Sequence, residues 1–124
     1  MSKPEFEFFP VTEIEWVPIP GAVPGLSERI LARDGSSSVA TRMLRFSPGT
    51  DTSHNGTLTH DFWEEVYILE GSIYDIALGK NFTAGMYACR PPGMKHGPWK
   101  TDEGCMTFEV RYMGGDAQRP LRGR

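Results

Sequence analysis

Turn-forming residues interrupt this sequence at short intervals, and this spacing limits the folds that the chain can adopt. Five runs rich in β-branched and aromatic residues each end at a cluster of glycine, proline, serine or asparagine. The runs are SVATRMLRF (38–46), EEVYILE (64–70), SIYDIAL (72–78), MYACR (86–90) and CMTFEVRYM (105–113). No convincing helical period lies between them. Short strands at this spacing predict an all-β sandwich or small barrel.

The N-terminal region is rich in proline. Five prolines fall within residues 1–26, and each lacks a backbone donor and disfavours helix at the residue before it. We therefore predict an extended arm over 1–26 that packs on the barrel or on a partner subunit. The barrel itself is predicted over 27–114, and a flexible tail over 115–124.

Charge and hydropathy narrow the expected partners. The formal net charge is −3 and the pI is near 5.6, which is the wrong sign for binding a phosphate backbone. No apolar stretch approaches the roughly 20 residues that span a bilayer, and MSKPEFEFFP lacks the apolar core of a signal peptide. We expect a cytoplasmic protein that binds neither nucleic acid nor membrane, with Cys89 and Cys105 as buried thiols.

The segment LTHDFWEEVYILEG (58–71) alternates as a strand does, so residues of equal parity share a face. One face carries Leu58, His60, Glu64, Val66 and Ile68, and the other carries Glu65, Tyr67 and Leu69. Glu65 is therefore expected to face solvent or an interface. Both faces are largely apolar, which indicates cover on two sides and leads us to predict a homodimer.

Two segments also carry the spacing of a known pair of motifs. Three residues separate His60 from Glu64 and six separate Glu64 from Gly71, while GMYACRPPGMKH (85–96) reads G-x5-P-x-G-x2-H. These segments resemble the motifs of the cupin superfamily, G-x5-H-x-H-x3,4-E-x6-G and G-x5-P-x-G-x2-H-x3-N. RPPGMKHGPWKTDEGC and WVPIPG resemble most closely the small cupins related to acetylacetone and dihydroxyacetophenone dioxygenases, and the zinc-binding cupin domain of anti-sigma factors. The resemblance implies a double-stranded β-helix, or jelly-roll barrel, around one divalent metal ion.

The chain departs from this pattern at two positions. Leu58 stands where the first histidine of H-x-H is expected, and Lys100 stands where the second motif has asparagine. His54, in the loop GTDTSHNGT, either replaces the missing ligand or is an exposed loop histidine.

The remaining ligand set has a chemistry of its own. His60, Glu64 and His96 provide two imidazoles and one carboxylate, the facial set that leaves positions open on Fe(II) for substrate and oxygen. A fourth ligand from His54 would widen the candidates to Mn, Ni or Zn. Two histidines satisfied by backbone or water, and a carboxylate in a plain salt bridge, are the alternative reading of the same residues.

The last run, CMTFEVRYM, allows two placements of its charged residues. If its apolar even-numbered positions form the buried face, Glu109 and Arg111 lie in water. Alignment with the anti-sigma cupins on EGC instead places both inside the barrel, where charges are costly unless they are paired and used. The candidate base is then Glu109 or Glu65, and the candidate anchor for an anion is Arg111 or Arg90.

The resemblance implies a metal-dependent enzyme that acts on a small oxygen-chelating organic molecule, with Fe(II) favoured and dioxygenase-type C–C cleavage as the expected reaction. A redox-inert isomerase, lyase or hydrolase would use the same site. A zinc-binding sensor without catalysis is the third alternative.

Overall fold

The computed structural model of the protein describes residues 2–115, and its regular structure there is almost entirely β. The strands are β1 (Val17–Pro18), β2 (Leu26–Arg33), β3 (Ala40–Phe46), β4 (Trp63–Asp75), β5 (Lys80–Thr83), β6 (Tyr87–Arg90), β7 (Trp99–Lys100) and β8 (Cys105–Tyr112). Two short 3-10 turns, Val11–Glu13 and Ser53–Asn55, complete the described elements. Neither turn approaches the length and hydrophobicity of a bilayer-spanning helix. The predicted all-β fold class is confirmed.

Antiparallel pairing joins every strand, and the sheets curl around a common interior. The order β1-β2-β3-β8-β4 forms one continuous path. The first half of β4 lies between β8 and β6, whereas its second half lies between β5 and β7. β4 therefore belongs to two sheets.

The continuity of β4 corrects a prediction. EEVYILE and SIYDIAL were expected to be separate strands joined by a turn at Gly71, but they form one strand of 13 residues. A bulge between Ile68 and Glu70 and a positive φ of 76° at Gly71 bend the strand instead of ending it. The extra residue shifts the inward parity, so Ile68 is buried before the bulge and Ile73 after it.

Three other strands were missed. β2 was not predicted because its inward row mixes Glu28 with Leu26 and Ile30, which hides the alternation that marks a half-buried strand. β5 begins at Lys80, where a turn was expected, and β7 has only two residues.

The stretch from Trp16 to Pro18 lies along the edge and outer side of β2 and β3, whereas Ile19 packs against the buried apolar residues and lines the cavity. β1 pairs with β2 through Val17 and Glu28, and the indole of Trp16 lies between the guanidinium groups of Arg29 and Arg45, each 4.4 Å from the ring centroid. These contacts are made within one chain. The division into an arm, a barrel and a tail stays a prediction. Apart from Gly115, the predicted tail lies outside the described residues.

The buried apolar cluster consists of Leu44, Phe46, Ile68, Ile73 and Cys105. Leu44, Phe46, Ile68 and Ile73 also line an internal cavity of about 590 Å³. Cys105 is buried as expected, but Cys89 is exposed on β6. The outer face of β4 and β6 also exposes Tyr67 and Tyr87. The homodimer stays a prediction.

Gly71→Ala should destabilise the fold strongly. A Cβ at this position would lie 2.0 Å from the carbonyl oxygen of Gly104, so backbone on both sides would have to move. We expect a loss of about 2 kcal/mol or more in the free energy of unfolding, measured by urea denaturation. Gly79→Ala is the matched control: its φ is +66°, but the nearest atom to a Cβ is 3.7 Å away. Equal losses in the two variants would contradict the steric explanation.

Candidate metal centre

The register of three strands places Glu64 between two arginines. On β4, Glu64 lies directly opposite Arg90 of β6 and Arg111 of β8. Its Oε1 accepts a hydrogen bond from Arg90 Nη1 at 3.1 Å, and its Oε2 accepts one from Arg111 Nε at 2.9 Å. Glu64 is only 3% exposed. A buried carboxylate is thus held by charge on both sides.

Backbone hydrogen bonds in the flanking loops position two histidines beside this carboxylate. Gly93 N donates to the carbonyl oxygen of His60 at 2.9 Å. Leu58 and His96 form an isolated antiparallel bridge, with N–O distances of 2.7 and 2.9 Å. The loop before β4 and the loop after β6 are therefore tied together at the two histidines.

The histidine nitrogens point at each other. The Nε2 atoms of His60 and His96 are 3.2 Å apart, and the potential ligand atoms of His60, Glu64 and His96 all lie within 4.8 Å of one another. Adjacent ligands on a metal with bonds of about 2.1 Å are separated by about 3 Å, so the imidazole pair has a suitable spacing. His96 Nδ1 donates to the carbonyl oxygen of Met94 at 3.1 Å, which leaves the Nε2 lone pair free for a metal.

The protonation states also suit a cation. Burial lowers the pKa of His60, and the nearby guanidinium groups of Arg111, Arg42 and Arg90 lower it further. Burial and Arg90 likewise lower the pKa of His96. Burial works to raise the pKa of Glu64, but Arg111 and Arg90 outweigh it and hold that pKa below its usual range. Neutral imidazoles beside an ionised carboxylate are the forms that bind divalent metals. These residues make a possible metal site.

His54 is not part of this group. It lies in the 3-10 turn Ser53–Asn55 with an exposed side chain, so the structure does not bring it in as a replacement ligand. Leu58, at the position of the missing histidine, lines the cavity and leaves that side of the group without a protein ligand among the described residues.

The structure decides between the two placements that the sequence allowed for the charged residues of β8. Glu109 and Arg111 face the interior, so the reading in which the even-numbered residues of this strand form the buried face is wrong. Glu109 is 4% exposed; its Oε1 accepts from Arg42 Nε at 2.9 Å and its Oε2 from Thr107 Oγ1 at 2.9 Å. The cost of burial is offset because Arg42 of β3 lies directly opposite Glu109.

Sequence reasoning missed Arg42 and Glu28. Arg42 Nη1 donates to Glu28 Oε1 at 2.7 Å, so this guanidinium lies between two carboxylates. The signal was present in ATRMLRF, where Arg42 shares its parity with Ala40 and Leu44, both buried.

The neighbouring carboxylate, Glu65, lies on the opposite face of β4, as expected. The hydroxyl groups of Tyr87 and Tyr112 donate to its two oxygens, the latter at 2.6 Å. These bonds hold the pKa of Glu65 below its usual range and raise that of Tyr112 to about 12.

Aromatic rings flank the histidines. Phe62 stacks on His60 with ring centroids 4.5 Å apart, and Trp99 lies 5.5 Å from His96. The cavity of about 590 Å³ is lined by both histidines and Trp99, and by Arg90 and Arg111. Its volume is in the range of small-molecule binding sites.

The sequence matches the family model described as the ChrR cupin-like domain over residues 6–112. Curated proteins give no significant sequence match.

Similar solved structures include an RmlC-like cupin from Shewanella frigidimarina, with 20% identity and a TM-score of 0.67, covering 90% of this chain and 93% of that one. A putative acetylacetone dioxygenase from Methylibium petroleiphilum has 16% identity and a TM-score of 0.70, with coverage of 92% and 81%. An acetylacetone dioxygenase from Acinetobacter johnsonii has 16% identity and a TM-score of 0.67, with coverage of 90% and 74%. At these identities the likeness shows the fold alone, and it confirms the predicted cupin barrel.

His96→Ala should abolish metal binding, because it removes one of the two facing imidazole nitrogens. Glu65→Gln is the matched control, since it alters the adjacent carboxylate on the other face of the strand. Metal content after reconstitution and dialysis, measured by elemental analysis, should fall only in the first variant. Loss of metal in Glu65→Gln would mean that the strand register is off by one residue.

Metal uptake should persist as the pH falls below the ordinary histidine range, about pH 6.5. The reason is that the pKa values of His60 and His96 are both lowered, so protons compete for the nitrogens only in more acidic solution. Equilibrium dialysis between about pH 5 and 8 checks this. Half-loss of the metal at or above pH 6.5 would contradict it.

Proposed function

The chain belongs to the ChrR cupin-like domain family, and we propose that it is a metal-dependent enzyme. The proposed reaction is the dioxygenase-type cleavage of a C–C bond in a small oxygen-chelating substrate. The observation that carries this proposal is the cavity of about 590 Å³ beside a group that has three protein ligands among residues 2–115. A purely structural zinc site is closed by four protein ligands, whereas a catalytic site keeps a position open.

Two histidines and one carboxylate are the donor set expected for a catalytic divalent metal. Bound by His60, Glu64 and His96, Fe(II) would supply a Lewis acid and a centre for dioxygen chemistry, while Zn, which has no redox chemistry, would supply the Lewis acid alone. A β-diketone, hydroxyketone or phenol has the oxygen atoms to occupy the open side.

The chain's own residues have three roles in this proposal. Arg90 and Arg111 orient Glu64 and present further N–H donors to substrate oxygens. Phe62 and Trp99 exclude water around the imidazoles. Glu109 is better suited to fixing Arg42 than to taking a proton, because both of its oxygens already accept hydrogen bonds.

The family match itself favours a second candidate. The ChrR cupin-like description fits the zinc-binding domain without catalysis that the sequence resemblance also implies. A redox-inert isomerase, lyase or hydrolase is a variant of the first candidate, with the same ligands and a different metal.

Oxygen consumption separates these alternatives. Metal-free protein is reconstituted separately with Fe(II), Mn, Ni and Zn and supplied with acetylacetone, related diketones, hydroxyketones and catechols. We expect oxygen uptake and cleavage products with Fe(II) alone, and neither in His96→Ala. Equal substrate consumption under strict anoxia would replace the oxygenase with a redox-inert enzyme. Stoichiometric, tightly held zinc without any turnover, together with a specific protein partner from the native host, would favour the sensor.

A further inference from the structure

The wall of the cavity is divided into a charged part and an apolar part. Near the candidate metal ligands, Arg90, Glu64 and Arg111 form one cross-strand row. Further along the same inward faces, the wall is formed by Leu44, Phe46, Ile68, Ile73 and Phe82. A molecule that fills the cavity therefore meets guanidinium groups at one end and hydrocarbon at the other.

The charged row beside the candidate metal ligands is positive. Arg90 and Arg111 carry two positive charges against the one negative charge of Glu64, so the formal charge of this row is +1. The whole chain, by contrast, carries −3. The positive charge is thus a local property of this row, and a bound divalent metal would increase it.

The arginines differ in how much of their donor capacity is used. Arg42 is the most engaged of the three interior arginines, since its Nε and both Nη atoms contact Glu109 or Glu28. Among the described residues, Arg111 contacts a carboxylate through Nε and Arg90 through Nη1. A guanidinium has five N–H donors in a planar fork, so both retain donors for a further oxyanion.

We propose that the site selects a small amphipathic anion, with its carboxylate or enolate oxygens on Arg111 and Arg90 beside His60 and His96. Its hydrocarbon tail lies against the apolar wall formed by Leu44, Ile68 and Ile73. This inference rests on the proposed function in one respect, because it names the substrate class of the same site.

Two physical effects favour such a ligand, the first over a neutral molecule and the second over a short anion. Arg90 and Arg111 have side chains only 17% and 19% exposed, so their spare donors lie in a partly desolvated space where an anion forms strong, charge-assisted hydrogen bonds. The tail adds burial of hydrocarbon, which a short anion such as acetate cannot supply.

Isothermal titration of the metal-free full chain tests both effects with three probes. Hexanoate has the charged head and the tail, acetate has the head alone, and hexanamide has the tail with a neutral head. We expect hexanoate to bind about tenfold or more tightly than either of the others. Equal affinity for hexanoate and hexanamide would overturn the role of the arginines, and equal affinity for hexanoate and acetate would overturn the role of the apolar wall.

Arginine variants locate the head group. Arg111→Met should remove the preference for hexanoate over hexanamide, and Arg90→Met should weaken it. Arg45→Met is the control, since it deletes the same charge from the outer face beside Trp16. An equal effect of Arg45→Met would mean that overall charge, not the site, sets the preference. The probe comparison on the unaltered chain decides the proposal even if Arg111→Met does not fold.

Failure of this inference can be told apart from failure of the proposed function. Selective hexanoate binding by a protein that takes up no metal and consumes no oxygen would overturn the enzyme proposal and support the anion site. Oxygen consumption by a protein that does not distinguish hexanoate from hexanamide would do the reverse.

Discussion

The register of β4 against its two neighbours is the constraint on which the site depends. It places Glu64 opposite Arg90 and Arg111, so one buried carboxylate is neutralised from both sides of its strand. The histidines lie in loops, and their backbone hydrogen bonds seat them beside this row. A slip of one residue would turn Glu64 outward and Glu65 inward, and the group of ligands would no longer form.

The interior combines a small apolar cluster with two groups of ion pairs. Buried ion pairs contribute little net stability, since desolvation cancels much of their attraction. Arg42, Glu109 and Glu28 are therefore better explained by the cavity that they shape than by the stability that they add. The same space filled with hydrocarbon would favour folding and leave no room for a ligand.

Motif spacing was enough to predict that His60, Glu64 and His96 come together and that Glu65 faces away. Most of the strand sequence was also readable, because β3, β6 and β8 keep regular alternation. The bend at Gly71 was read as a turn. A glycine in the sequence marks a bulge as well as a turn, and the sequence alone does not distinguish the two. Arg42 and Glu28 were missed for a different reason: an inward charge resembles a solvent-facing one until its partner on another strand is known.

The membership of β4 in both sheets has a mechanical consequence. The strand is covalently continuous across Gly71 and has hydrogen-bonded neighbours on each side of the bend, so the two sheets stay joined along this strand. A molecule that enters the interior passes the exposed segments that line the cavity elsewhere, around Gly21, Ser37 and Asn55.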